Sequence, residues 1–195
     1  MRWRVVGLAV LAVPLAMPVL RPASAAEPVW DALRSGGKIV ILRHASTEPG
    51  LGDPPGFRLD DCATQRNLSE AGRTEARRIG AAFVSRAIPV ARVLSSRWCR
   101  CVETARLAFG RVEPWASLDS FFDDRSREPQ QTRAVRALIA EPLTGGNLIL
   151  VTHQVNITAL TGVAPAMGEM VVLSPEPPGG FKIIGRLGSA DLSGN

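Results

Sequence analysis

The sequence predicts an α/β fold, a three-layer α/β/α arrangement in which a mostly parallel sheet is flanked by helices. Three observations predict it. Two continuous apolar runs, Lys38–Leu42 and Asn147–Val151, have the length and composition of strands buried on both faces. Strand-like runs alternate with helix-like segments along the chain, the pattern of a sheet covered on both sides. The turn Pro177-Pro178-Gly179-Gly180 separates two late strands closely enough to suggest an antiparallel edge.

The elements follow in order. Residues 1–25 carry Arg2 and Arg4, an apolar stretch from Val5 to Met17 broken by Pro14, and Ala23-Ser24-Ala25. That is the layout of a secretory signal peptide, too short and wrongly flanked for a stable membrane span. An exported, soluble domain over 26–195, periplasmic or secreted, is the expectation. Pro28 suits the first turn of a helix that Gly36-Gly37 ends. Ser46–Asp61, rich in Gly, Pro and Asp, reads as a loop. Ser69 can cap a helix from Glu70 to Arg86, with Ala71, Ala76, Ile79, Ala82 and Phe83 near helical spacing. Val90–Ser95 is a strand, and Arg100–Phe109 a helix closed by Gly110. Ala116–Gln131 is polar and aperiodic, an excursion over the sheet. Thr132–Ala140 is a third long helix, Val155–Thr161 a shorter one, and Glu169–Leu173 and Phe181–Leu187 the final strands.

Charge narrows the partners. The net charge is +5, but residues 1–25 hold Arg2, Arg4 and Arg21 and no acid, so three of those charges leave with the signal segment. The remaining excess is too small to argue for nucleic acid. Lys38 and Lys182 are the only lysines; arginine, which suits forked recognition of phosphate, dominates. Cys62, Cys99 and Cys101 are the three cysteines. In an oxidising compartment one disulfide and one buried thiol are expected. Cys99 and Cys101 stand too close for an easy mutual bond, so Cys62 pairs with one of them. Cys62–Cys101 is the candidate bond, with Cys99 open as the alternative. Neither histidine has zinc-finger spacing from Cys99-x-Cys101, so no metal is assigned.

The chemistry gathers at strand ends. The chain has two histidines, and each directly follows an apolar run: His44 after Lys38–Arg43, His153 after Leu148–Thr152. Ligands of open α/β sheets bind beyond the carboxyl ends of the strands, so both imidazoles can face one pocket. Arg43-His44-Ala45-Ser46-Thr47, Arg66-Asn67-Leu68-Ser69, Ser96 to Ala105 and Thr152-His153-Gln154 together offer arginines, histidines and hydroxyls at helix starts. That set suits a phosphate dianion. A neutral imidazole with one nitrogen hydrogen-bonded to the backbone is also a competent nucleophile.

These motifs resemble the histidine phosphatase superfamily, also called phosphoglycerate mutase-like. Its R-H-G-x-[ST] motif corresponds to Arg43–Thr47, with Ala45 for the usual glycine. Its S-x-x-x-R-x-x-x-T-A motif corresponds to Ser96–Ala105, and its D/R-x-L-[ST]-x-x-G segment to Arg66–Gly72. The late strand's His-Gly appears as His153-Gln154. The resemblance spans 38 to about 160 in order and implies His44 as nucleophile, with Arg43, Arg100 and His153 holding the phosphoryl group. It implies a substrate-binding role for Thr47 and, through its backbone amide, for Gln154; Arg66 can reach the rim. Arg97 stands three residues too early to be the motif arginine. Many relatives supply a carboxylic acid between the second and third motifs to protonate the leaving group. Asp119, Asp123, Asp124 and Glu128 fall in that interval, and Asp123 and Asp124 are preferred.

The resulting expectation is an exported, metal-independent phosphomonoesterase of the small branch of the family, with no cofactor, acting on a small-molecule or glycan monoester. A mutase is disfavoured, since mutases carry longer insertions. A binding module without turnover is the alternative, motivated by Ala45, Gln154 and the unassigned acid. A metallohydrolase is disfavoured because Arg43 and Arg100 would place positive charge beside a cation.

Overall fold

The computed structural model describes residues 26–176 and 178–193. Residues 1–25, where the sequence suggests a signal peptide, and Pro177 of the late turn lie outside the described residues.

Among the described residues six strands form one sheet: β1 Ile39–Arg43, β2 Val90–Ser95, β3 Glu113–Pro114, β4 Asn147–Thr152, β5 Met170–Glu176 and β6 Gly180–Leu187. Five helices cover it: α1 Glu27–Arg34, α2 Glu70–Ser85, α3 Cys99–Phe109, α4 Glu128–Ile139 and α5 Gln154–Thr161. The strand order is β3-β2-β4-β1-β5-β6, with β3, β2, β4 and β1 mutually parallel. β5 runs against β1, and β6 pairs antiparallel with β5, so the antiparallel pairings gather at one side as the turn suggests. The short edge strand β3 carries no apolar run and is not legible from the sequence.

The strands are buried on both faces, and their alternation sorts the core into two halves. Val40, Leu42, Val93, Ile149 and Val151 pack with Trp30, Leu33, Ile79, Phe83 and Ala105 of α1, α2 and α3. Ile39, Ile41, Leu94, Leu148 and Leu150 pack on the other side with Val135, Ile139, Ile157 and Leu160 of α4 and α5.

Close backbone approach positions the elements that carry the site. α2 starts where Ser69 caps it, its Oγ accepting from the Gly72 amide at 3.1 Å. A Cβ on Gly72 would collide with the Ser46 carbonyl, and one on Gly80 with the Ala108 carbonyl of α3. α2 therefore lies directly on the loop after β1 and on α3. α4 begins at Glu128, four residues before the expected Thr132. Pro129 fits its first turn, and Gln131 is buried because its Nε2 donates to the carbonyls of Ala116 and Asp119.

One expectation is corrected. The disulfide joins Cys62 to Cys99, not to Cys101, with a Cα–Cα separation of 5.7 Å. Residues two apart on a helix face nearly opposite ways. Cys99 faces the loop that carries Cys62, while Cys101 is fully buried against the sheet, where burial pushes its thiol up to about 12.

Candidate active site

Three neighbouring parallel strands end side by side. β1 and β4 pair with Arg43 opposite Thr152, and the His44 amide donates to the Thr152 carbonyl at 3.0 Å. The next residues, His44 and His153, therefore meet, with ring centroids 5.5 Å apart. On the other side of β4, the Ser96 amide beyond β2 donates to the Val151 carbonyl at 2.9 Å. The cleft above these ends has a volume of about 240 Å³. Arg43, His44, Arg66, Arg100, His153 and Gln154 all line it.

The hydrogen bonds assign the protons on both imidazoles. His44 Nδ1 lies 2.9 Å from the Ala45 carbonyl, which can only accept, so Nδ1 carries the proton and Nε2 keeps its lone pair. Burial, then the positive charge of Arg100 and more weakly of Arg43 and Arg66, lowers the His44 pKa to about 3. His44 is thus neutral across the physiological range. His153 Nδ1 is 3.5 Å from Arg100 Nη2, a donor, while its Nε2 lies 2.8 Å from Ser96 Oγ. Nε2–H accordingly donates to Ser96, whose hydroxyl is 3.4 Å from Asp119 Oδ1. Burial and the Arg100 charge hold the His153 pKa well below its ordinary value.

The arginines are tethered by their outer nitrogens. Arg43 Nη1 donates to the Pro165 carbonyl at 2.8 Å, and Arg66 Nη1 donates to the Gly50 carbonyl. Arg100 holds Asp53 with both Nη atoms, at 2.7 and 3.1 Å. Each of the three keeps a buried Nε–H with no hydrogen-bond partner. Burial and mutual repulsion lower the pKa values of Arg43 and Arg66. A buried cluster of like charges with unused donors is a site built for an anion.

Other candidates sort by placement. Ala45 fits its turn, since among the described residues Ala87 is the only non-glycine with positive φ. Gln154 is the first residue of α5 and its side chain is exposed at the cleft wall. Thr47 is not part of that wall: its hydroxyl donates to the Met167 sulfur at 3.7 Å. Asp123 lines the cleft, whereas Asp124 turns away to cap a short turn through the amide and hydroxyl of Ser126. Arg97 is held by the buried Asp119 outside the cleft, as its offset in the motif implies. Among the described residues, no group of three His, Cys, Asp or Glu side chains suited to a metal comes together.

Asp53 was not legible from the sequence. Its carboxylate is 4% exposed and also accepts from Trp98 Nε1 at 2.9 Å and the Arg66 amide at 3.0 Å. Burial works to raise its pKa, but the hydrogen bond and charge of Arg100 prevail and hold it below the ordinary range. The sequence offers only an aspartate before two prolines in a long loop.

The model of the histidine phosphatase superfamily, branch 1, matches residues 39–128. Over those residues the chain is similar to the histidine phosphatase superfamily. Solved structures carry the same fold across most of the chain. The protein histidine phosphatase SixA, in complex with tungstate, superposes with a TM-score of 0.59 at 15% identity, covering 80% of this chain and 99% of SixA. The α-ribazole phosphatase of Shigella flexneri gives a TM-score of 0.55 at 13% identity, covering 75% and 94%. A mycobacterial glucosyl-3-phosphoglycerate phosphatase with inorganic phosphate gives 0.53 at 17% identity, covering 70% and 89%. A comparison with proteins of curated function finds no match. Of the residues matched to the family's motifs, Arg43, His44, Arg100 and His153 line one cleft, and Ala45 and Gln154 depart from the pattern.

Proposed function

We propose that the protein is an exported phosphomonoesterase that hydrolyses a phosphate monoester through a phosphohistidine on His44. The observation that carries this reading is one cleft lined by Arg43, Arg66 and Arg100, each with a buried, unpartnered Nε–H, and by a histidine whose Nε2 lone pair is free. The arginines bind the dianion, and His44 Nε2 attacks phosphorus. The P–N bond forms as the ester P–O bond breaks, and the leaving oxygen takes the electron pair. Asp123, the carboxylate at the cleft wall, is the candidate to give that oxygen its proton. Water then cleaves the P–N bond, releasing inorganic phosphate and neutral His44.

His153 serves the charge rather than the attack. It stays neutral: its Nδ1 accepts from Arg100 Nη2, and its Nε2–H donates to Ser96, whose hydroxyl donates to Asp119, so the ring holds Arg100 where negative charge builds on the phosphoryl oxygens. Relatives in the same fold hold tungstate and inorganic phosphate, which supports an oxyanion in this cleft. The substrate class proposed is a small-molecule or glycan phosphate monoester. Export rests on the basic and apolar pattern of residues 1–25, and the Cys62–Cys99 bond suits an oxidising compartment.

The test is turnover of a chromogenic phosphate monoester by the protein beginning near residue 26, with and without chelator, beside His44→Ala. Chelator-resistant turnover that falls at least about a thousandfold in His44→Ala is expected. Phosphate binding without turnover of any monoester would replace this reading with the binding module.

A further inference from the structure

Asp53 gives the cleft a feature that a simple cluster of arginines lacks, and the inference rests on the phosphatase reading above. Arg100 has five N–H groups, and four are occupied. Nη1 donates to Asp53 Oδ1 at 2.7 Å and lies 3.4 Å from the Arg66 carbonyl. Nη2 donates to Asp53 Oδ2 at 3.1 Å and approaches His153 Nδ1 at 3.5 Å. Only Nε–H is left buried and unpartnered. A guanidinium ordinarily grips a phosphate with two parallel donors of its fork. Here that fork already holds a carboxylate.

Asp53 is kept there by structure independent of any ligand. Trp98 Nε1 and the Arg66 amide donate to it, and Phe57 of the same loop packs on the Trp98 ring with centroids 5.7 Å apart. Gln65 Oε1 accepts from the Cys99 amide at 3.0 Å, and the disulfide ties Cys62 to the residue directly before Arg100. The loop is thus fastened to the first turn of α3 at several points, with the carboxylate on the arginine.

We propose that Asp53 is a positioning residue that occupies the fork of Arg100, restricts that arginine to a single-donor contact with the phosphoryl group, and so keeps product phosphate weakly held. The three arginines and Asp53 together carry two positive charges, which match one phosphate dianion. Without Asp53 the cleft would carry three, and the freed fork would chelate the anion. Tighter product binding slows release, and where release limits turnover kcat falls with it.

The experiment measures inorganic phosphate binding by titration calorimetry for the wild type, Asp53→Asn and Asp53→Glu, together with kcat and KM on a chromogenic monoester. Asp53→Asn should bind phosphate about tenfold or more tightly, given one buried charge removed beside the anion. Its kcat should fall about tenfold while KM falls too, a split that simple loss of folded protein does not produce. Asp53→Glu, which retains the charge, should return affinity toward the wild type. The fitted stoichiometry counts intact sites, so a partly misfolded variant still yields its affinity. Equal or weaker phosphate binding by Asp53→Asn, on a wild type that binds, overturns the proposal alone. If the wild type turns the monoester over but shows no measurable phosphate binding, Asp53→Asn must bind measurably or the proposal falls; no turnover of any monoester by the wild type overturns the phosphatase reading and this proposal together.

Discussion

His44 and His153 are held neutral inside a positively charged cleft, and that has a consequence for stability that needs no substrate. Both have folded pKa values depressed below the ordinary 6.5, His44 to about 3. In the unfolded chain they bind protons below about 6.5. The stability from keeping them neutral is therefore fully present above that pH and is lost as pH falls toward 3. Each histidine contributes a slope of up to about 1.4 kcal/mol per pH unit in that window. Urea denaturation of wild type and His44→Ala between pH 7 and 5 should show the variant with the shallower loss; equal slopes would contradict the burial of a neutral His44. Asp53 enters only at lower pH, its pKa lying below the ordinary range of an aspartate. At this scale the sequence carried the motif residues His44, Arg43, Arg100 and His153 to one cleft, because each sits at a strand end or the helix start beside one. Thr47 and Asp124 lie away from the cleft wall, since a hydroxyl or carboxylate in a loop can turn either way. Asp53 left no trace, because its partner lies 47 residues away and no local pattern encodes that pairing.

The elements were legible where periodicity or punctuation marks them and obscure where burial depends on distant partners. β2 spans Val90–Ser95 as expected, and the α2 start follows from the Ser69 cap. The start of α4 was hidden because its first turn is polar and Gln131 is buried by hydrogen bonding rather than by apolarity. The choice between Cys99 and Cys101 depends on which side of α3 meets the loop, a tertiary fact. Two predictions belong here. The Cys62–Cys99 bond spans 37 residues, and its removal in Cys62→Ser should cost about 4 kcal/mol by the chain-entropy estimate. Thiol titration of the denatured, unreduced wild type should find one free thiol; three would refute the bond. Gly72→Ala pushes a methyl into the Ser46 carbonyl and should destabilise the fold by about 2–3 kcal/mol in urea denaturation. An unchanged midpoint would contradict the close seating of α2 on the loop after β1.

On the scale of the whole molecule, three parallel strands deliver the reactive groups to one end of the sheet. Two apolar layers seal the other surfaces of those strands, so the histidines lose water while the cleft above them stays open. Fold class was the most legible property, because a buried parallel sheet writes itself as continuous apolar runs. The substrate was the least, because the cleft wall comes from the loop around Leu51 and Gly52 and from Ser120 to Arg125, segments without periodic pattern. The central claim is covalent: phosphorus passes through His44. Rapid mixing with a chromogenic monoester, an alkaline quench that preserves phosphoramidates, and mass spectrometry of the peptides test it most directly. A phosphoryl group on His44, absent from the His153 peptide and from His44→Ala, is the predicted result. Hydrolysis that proceeds at the wild-type rate in His44→Ala would contradict it.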